Sequence, residues 1–373
     1  MDLPVEKPAV AQEGRLMSLD ALRGFDMFWI VGGHAIVSGL GRGLGSEWLD
    51  KHVLPQIQHV PWQGFTAWDL IMPLFLFVVG TAMPFSFAKR LSQDPGKGRL
   101  FLHVLYRVGI LWVLGMIAQG RLLEYDLSQL RLFSNTLQAI AAGYLIASVL
   151  LLTLRLRWQL VATAGLLLAY WGLLALVPVP GYGAGQLTPE GNLAIYIDKL
   201  ILGRFQDGTT YTWILSSMTF ATTVMMGAFA GRLLRSNWTP CQKVAILLCS
   251  GLACVLVGWA WGFAFPIIKH IWTSSMVLFA GGWSLLLLCL FYLVIDVLRV
   301  RFWAIFFVVI GTNAIGAYMA THVFDFRHIG DIFVHGLARW TGDWYEFIQA
   351  VAAFAALWLI LWFLYRRRVF IKI

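Results

Sequence analysis

The chain has 373 residues, of which 59% are hydrophobic and 13% charged, and it carries 18 Trp and 26 Phe. That balance is too apolar for a soluble domain of this length, and four cysteines, Cys241, Cys249, Cys254 and Cys289, all in or beside apolar runs, read as buried thiols and not as a disulfide scaffold. A net charge of +9 is expected from Lys and Arg on cytoplasmic loops facing anionic lipid, so no nucleic-acid partner is implied.

Residues 1–14 include Pro4, Glu6, Lys7, Pro8 and Glu13, and show no apolar core followed by a small-residue cleavage site. They read as a polar cytoplasmic arm. Apolar runs of roughly 20 residues, the length that crosses a bilayer as a helix, then recur near 17–38, 68–88, 101–119, 133–152, 158–178, 211–231, 242–264, 271–298, 302–323 and 346–365. The expected fold is all-α: a polytopic membrane protein of about ten transmembrane helices around a polar cavity. A single domain over 15–366 is followed by a basic tail, 367–373. Sorting Lys and Arg between alternate connections gives a split of about two to one, and the richer side is cytoplasmic. Both termini are then cytoplasmic, and a bacterial inner membrane is the expected location. The long connections 39–67, 179–210 and 324–345 fall on the other side, where function is expected to sit.

Polar residues concentrate toward that side. His34 ends the first span, His59 and Asp69 precede the second, and Asn135 and Gln138 begin the fourth. Lys269 and Ser275 open the eighth, and Asn313 and His322 lie along the ninth. Polar groups in hydrocarbon cost several kcal/mol unless partnered or hydrated, so five spans contributing to one layer imply a shared cavity. At the opposite end of the first span, Asp20 and Arg23 are three residues apart on one helix face. They read either as a structural ion pair or, with Arg23 joined by Lys89, Arg90 or Arg107, as a phosphate site reached from the cytoplasm. The His and Cys spacings do not match a zinc site, and no metal is expected.

Five segments carry a family likeness: Ser18-Leu-Asp-Ala-Leu-Arg-Gly24; His59-Val-Pro-Trp62-Gln-Gly64-Phe-Thr-Ala-Trp-Asp69 with the helix that follows it; Leu137-Gln138-Ala-Ile-Ala-Ala-Gly-Tyr144; Gly191 to Gly203; and Lys269-His-Ile-Trp272-Thr-Ser-Ser275 with Asn313 to Tyr318. In these the chain resembles the heparan-alpha-glucosaminide N-acetyltransferase family, including its bacterial members. The resemblance implies a transmembrane acyltransferase that takes the acetyl group of cytoplasmic acetyl-CoA to the amine of a glucosamine-type sugar on the other side. It further implies that His59 is the catalytic residue. The family's animal members carry Asn where this chain has His34.

Amine acetylation needs a neutral amine, a base and donors for the carbonyl oxyanion. An imidazole such as His59 can be that base near physiological pH, with Asp69 orienting it, or it can take the acetyl group covalently. His34, Trp62, Asn135, Gln138, Lys269, Ser275, Asn313 and His322 are the candidate acceptor contacts, and Arg23, Lys89, Arg90 and Arg107 those for CoA. Trp48, Trp62, Trp68, Trp340 and Trp344 suit sugar stacking and interfacial anchoring equally. Membrane lipid surrounds the chain, and the assembly admits a homodimer. The rival reading is a transporter or exporter of a saccharide that uses the same cavity without chemistry.

Overall fold

A computed structural model describes residues 16–93 and 96–371. The arm expected over 1–14 lies outside them. The structure is helical, and among the described residues no strand forms. The chain enters through α1 (Met17–Phe28), passes a π-helical turn at Trp29–Gly33 and continues as α2 (His34–Leu44). α3 (Glu47–His52) and short 3-10 turns, the last at Ala67–Leu70, lead into α4 (Ile71–Gln93). There follow α5 (Lys97–Ala118), α6 (Thr136–Thr153), α7 (Leu156–Leu176) and a short α8 (Leu193–Leu202). The second half holds α9 (Ser217–Arg235), α10 (Pro240–Trp261) and α11 (Ser274–Phe291). α12 (Ala304–Thr312) and α13 (Ala314–Val323) meet at a 71° bend, before α14 (Phe326–Val334), α15 (Ala338–Thr341) and α16 (Tyr345–Arg366).

Among the described residues seven segments are long and apolar enough to cross a membrane, and the bent α12 and α13 make an eighth. The expected count of about ten is not confirmed. The two remaining expected spans, 17–38 and 211–231, are largely helical as α1 to α2 and as α9, but they are not among these eight. α1 and α9 are largely buried against other helices. Thr219, Thr222, Thr223, Gly227 and Gly231 of α9 are all buried, and a helix enclosed by helices needs no apolar shell of its own. Its hydroxyls bond back to the preceding turn, Thr222 Oγ1 to Met218 O at 3.0 Å and Thr223 Oγ1 to Thr219 O at 3.1 Å. The cysteines depart from expectation. All four are free thiols, but Cys241 and Cys249 are exposed, because α10 is peripheral and turns Leu248, Leu252 and Leu256 outward as well.

Glycines set the closest helix contacts. A Cβ on Gly24 of α1 would lie 1.7 Å from Phe307 O of α12, and one on Gly311 would lie 2.0 Å from Asp20 O. Gly80 and Gly227 join α4 to α9 in the same way, each 1.9 Å from a facing carbonyl oxygen. Such backbone-to-backbone approach is the small-residue packing of membrane helices, where dispersion and not burial from water supplies the attraction. α16 returns antiparallel along α1 and α2, since Gly39 meets the Phe347 backbone and Gly32 meets the Phe354 ring. The start of α1 and the end of α16 therefore share one end of the bundle. There Asn313, at the bend, donates Nδ2–H to Val369 O (3.1 Å) and accepts Ile371 N–H (2.8 Å), so the tail supplies partners at the bend.

Gly24→Val is expected to lower the melting temperature of the purified protein sharply, by overpacking worth at least about 1–3 kcal/mol. Gly109→Ala on α5, where a Cβ would meet nothing within 4 Å, should leave melting unchanged or raise it slightly. Thermal unfolding of both variants checks this.

Candidate functional site

The segment before α4 is fixed by its own hydrogen bonds. Thr66 and Asp69 form a capping box on the 3-10 turn, Thr66 N–H reaching Asp69 Oδ2 at 3.1 Å. Upstream, Gly64 adopts φ +125°, a conformation that excludes most L side chains. The turn it makes sends its N–H to Ile267 O at 2.9 Å, and Gln63 pairs with Ile268. Two sequence-distant loops are thereby joined, and the next residue of the second loop is Lys269.

Three ionisable side chains meet there. Asp69 is 1% exposed, and its Oδ1 lies 2.7 Å from His59 Nδ1 and 3.3 Å from Lys269 Nζ. Lys269 Nζ is also 3.2 Å from His59 Nδ1. The shorter contact decides the tautomer: the carboxylate accepts a hydrogen bond from Nδ1–H, which leaves the lone pair of His59 on Nε2. The His59 side chain is 42% exposed, so it is open to a reactant while the residues behind it are sealed. Burial pulls the Lys269 ammonium down to about 8, against the opposing effect of Asp69. Its backbone is held by Trp272 N–H to Lys269 O (3.0 Å) and Thr273 N–H to Ile268 O (3.2 Å). Trp272 closes that turn at φ +50°, uncommon for a bulky residue, with its ring edge-on to Phe220 at 4.9 Å.

A second shell of rings surrounds Lys269. His270 stacks on Tyr211 at 4.2 Å, and its Nδ1 lies 2.6 Å from Thr210 Oγ1. Burial, reinforced by Lys269, pushes His270 down to about 4, so its imidazole stays neutral. Trp62 meets His270 edge-on at 5.3 Å and donates Nε1–H to Leu187 O at 2.8 Å. Trp68 lies between two imidazoles, 4.8 Å from the ring of His34 and 6.2 Å from that of His59. His34 and His322 line a common cavity of about 600 Å³ between α2, residues 321–327 and α16. His322 Nδ1 bonds Tyr318 O at 2.8 Å.

The expected layer therefore divides. His59, Asp69 and Lys269 form one cluster, Trp62 touches its rim through His270, and His34 and His322 share the neighbouring cavity. The other candidates are occupied by the fold. Asn135 caps α6, accepting from Leu137 and Gln138 N–H and donating to Gly115 O. Gln138 is spent on Ser134 N–H and Leu132 O, and Ser275 donates to Pro266 O. Asn313 is bound to the tail at the other end of α16 from Glu346, which lines the cavity. Toward that far end Arg23 pairs with Asp20 at 3.6 Å, and Arg107 lies over the Tyr144 ring at 4.7 Å with its Nε unpartnered. Lys89 and Arg90 are exposed. Tyr211 and Thr210 escaped the sequence reading, which had His270 beside Lys269 at the opening of the eighth span; only the fold sets Thr210 and Tyr211 against it. The Thr66-x-x-Asp69 spacing was a legible capping signal.

Either single change, Asp69→Asn or Lys269→Met, leaves the other buried charge with less compensation and is expected to cost about 3–5 kcal/mol. The double variant should cost clearly less than the sum. A double-mutant cycle of unfolding free energies measures that coupling; additive losses would contradict the pairing.

No protein-family model matches the chain. It is 26% identical to heparan-alpha-glucosaminide N-acetyltransferase of Homo sapiens and 26% identical to that of Mus musculus, each alignment covering 96% of this chain and 60% of the relative. The chain thus spans about 60% of the length of the curated relatives it matches. At that level of identity the chain is similar to these two enzymes over nearly all of its length.

Proposed function

We propose that the chain is a transmembrane acetyltransferase that moves the acetyl group of cytoplasmic acetyl-CoA to the amine of a glucosamine-type sugar across the membrane. The proposed setting is a bacterial inner membrane, with both termini cytoplasmic. The observation that carries this reading is the buried contact of Asp69 with His59 and Lys269 beneath an exposed imidazole. A base in acyl transfer needs a lone pair aimed outward and a fixed partner behind it, and this arrangement supplies both.

In the reaction, the neutral amine nitrogen attacks the thioester carbonyl carbon and the carbon–sulfur bond breaks. His59 Nε2 takes the proton lost by the amine, and the CoA sulfur leaves as a thiolate that is then protonated. Asp69 stabilises the imidazolium formed in that step, and Lys269 balances the carboxylate so that the cluster carries no excess negative charge. His34, Trp62 and His322 are the acceptor contacts proposed, since the polar atoms of Asn135, Gln138, Ser275 and Asn313 are engaged within the fold. Arg23, Lys89, Arg90 and Arg107 are proposed to meet the CoA phosphates, as guanidinium and ammonium groups suit phosphate oxygens.

Purified protein given labelled acetyl-CoA and glucosamine should transfer label to the sugar, and His59→Ala should lower the rate by about 10²–10⁴-fold. Equal transfer by both would remove His59 from the chemistry, and binding of sugar without transfer would favour an exporter. The pH profile supplies a second check. Lys269 is charged below about 8 and loses its proton as pH rises through that value, and the ammonium is the form that balances Asp69. kcat/KM is therefore expected to fall above about pH 8. Lys269→Arg, which stays charged, should move that limb upward, and Lys269→Met should abolish it while lowering the plateau.

A further inference from the structure

The 600 Å³ cavity has a polarity gradient that a free monosaccharide does not use. Its volume falls within the ~300–1,000 Å³ of ligand pockets. Its inner part is formed by Val31 and Ala35 on one side and Ala350, Ala353 and Phe354 on the other. Phe354 is 8% exposed and closes the floor. These side chains offer no donor or acceptor, so a second sugar ring seated there would leave its hydroxyls facing them unpaired. An apolar group would meet no such cost.

The charged lining residues lie at the rim and are already matched to one another or to the backbone. Arg42 pairs with Glu346, their side chains 61% and 41% exposed. Asp325 accepts His328 N–H at 3.0 Å, and Arg327 donates Nε–H to Gln349 Oε1 at 2.9 Å. Two imidazoles, His34 and His322, and the hydroxyls of Ser38 and Thr321 remain in the wall, the Thr321 hydroxyl donating to Tyr318 O at 2.9 Å. The His34 ring touches Trp68, which in turn approaches His59. A ligand with a polar head beside Trp68 and an apolar portion along the inner wall would use every part of this surface.

We propose that the cavity seats an apolar aglycone of the acceptor, so that the sugar acetylated at His59 is the head of an amphiphilic amino glycoside. This rests on the acetyltransferase reading and adds to it the class of acceptor. Val31 to Ala35 covers about 6 Å of helix, enough for an extended chain of about five carbons.

The test is a chain-length series of alkyl glucosaminides, methyl to octyl, with the full-length protein in lipid nanodiscs so that no detergent competes. kcat/KM is expected to rise by at least about tenfold from methyl to octyl as apolar surface is buried. Ala350→Trp, which fills the inner part, should abolish that rise and leave the methyl compound's turnover unchanged. Ala35→Phe fills it from the opposite wall and serves if the first variant does not fold, as judged by its melting curve. A flat series in the wild type, or a rise that persists in the filled variants, overturns the proposal. If no glucosaminide is acetylated, the acetyltransferase reading fails on its own. Equilibrium binding of labelled octyl glucosaminide then decides the cavity: binding lost in Ala350→Trp supports it, and binding that is absent or unaffected sinks it.

Discussion

One buried carboxylate organises the site. Asp69 receives the His59 ring and the Lys269 ammonium on one oxygen and the Thr66 backbone on the other, so loops separated by about 200 residues converge on a single side chain. Isolated, such a charge would be costly to bury. With these partners it becomes the fixed point from which the orientation of His59 follows. The Gly64 turn, the pairing of residues 63–64 with 267–268 and the constrained Trp272 backbone all serve the same requirement, namely that Lys269 arrive beside Asp69. The bundle supplies rigidity, and the loops at one end supply the ionisable cluster.

Helix packing makes that rigidity. Where α1 meets α12 and α4 meets α9, glycine removes the side chain that would hold the backbones apart. In lipid, where apolar burial drives nothing, close dispersion contact has to do what the hydrophobic effect does in water. α9, most of whose residues are buried, carries Thr219, Thr222 and Thr223 inside the bundle. Polarity inside the bundle is matched by neighbouring helices and by bonds back to the helix itself.

The helical class was legible from the length and spacing of apolar runs, because twenty residues of low polarity have few other stable forms in a membrane. The number of spans was less so, since a run's composition does not say whether lipid or protein will face it. At the site, the mouth of the second span, with His59 and Asp69 ten residues apart, was visible, and Lys269 was placed in the same layer. The separation of Asn135, Gln138 and Ser275 from that cluster was hidden. A polar residue at a helix start reads the same whether it caps its own helix or points into a cavity, and only the partners found in the fold distinguish the two. Asn313 shows the limit most clearly: its partners are contributed by the chain some 56 residues later.

That last contact bears on how the molecule is completed. The bend between α12 and α13 leaves groups that the helices do not satisfy themselves, and the atoms that meet Asn313 belong to Val369 and Ile371. During synthesis, α12 and α13 leave the ribosome before those residues exist. The Asn313 amide can therefore take these partners only once translation has passed Ile371.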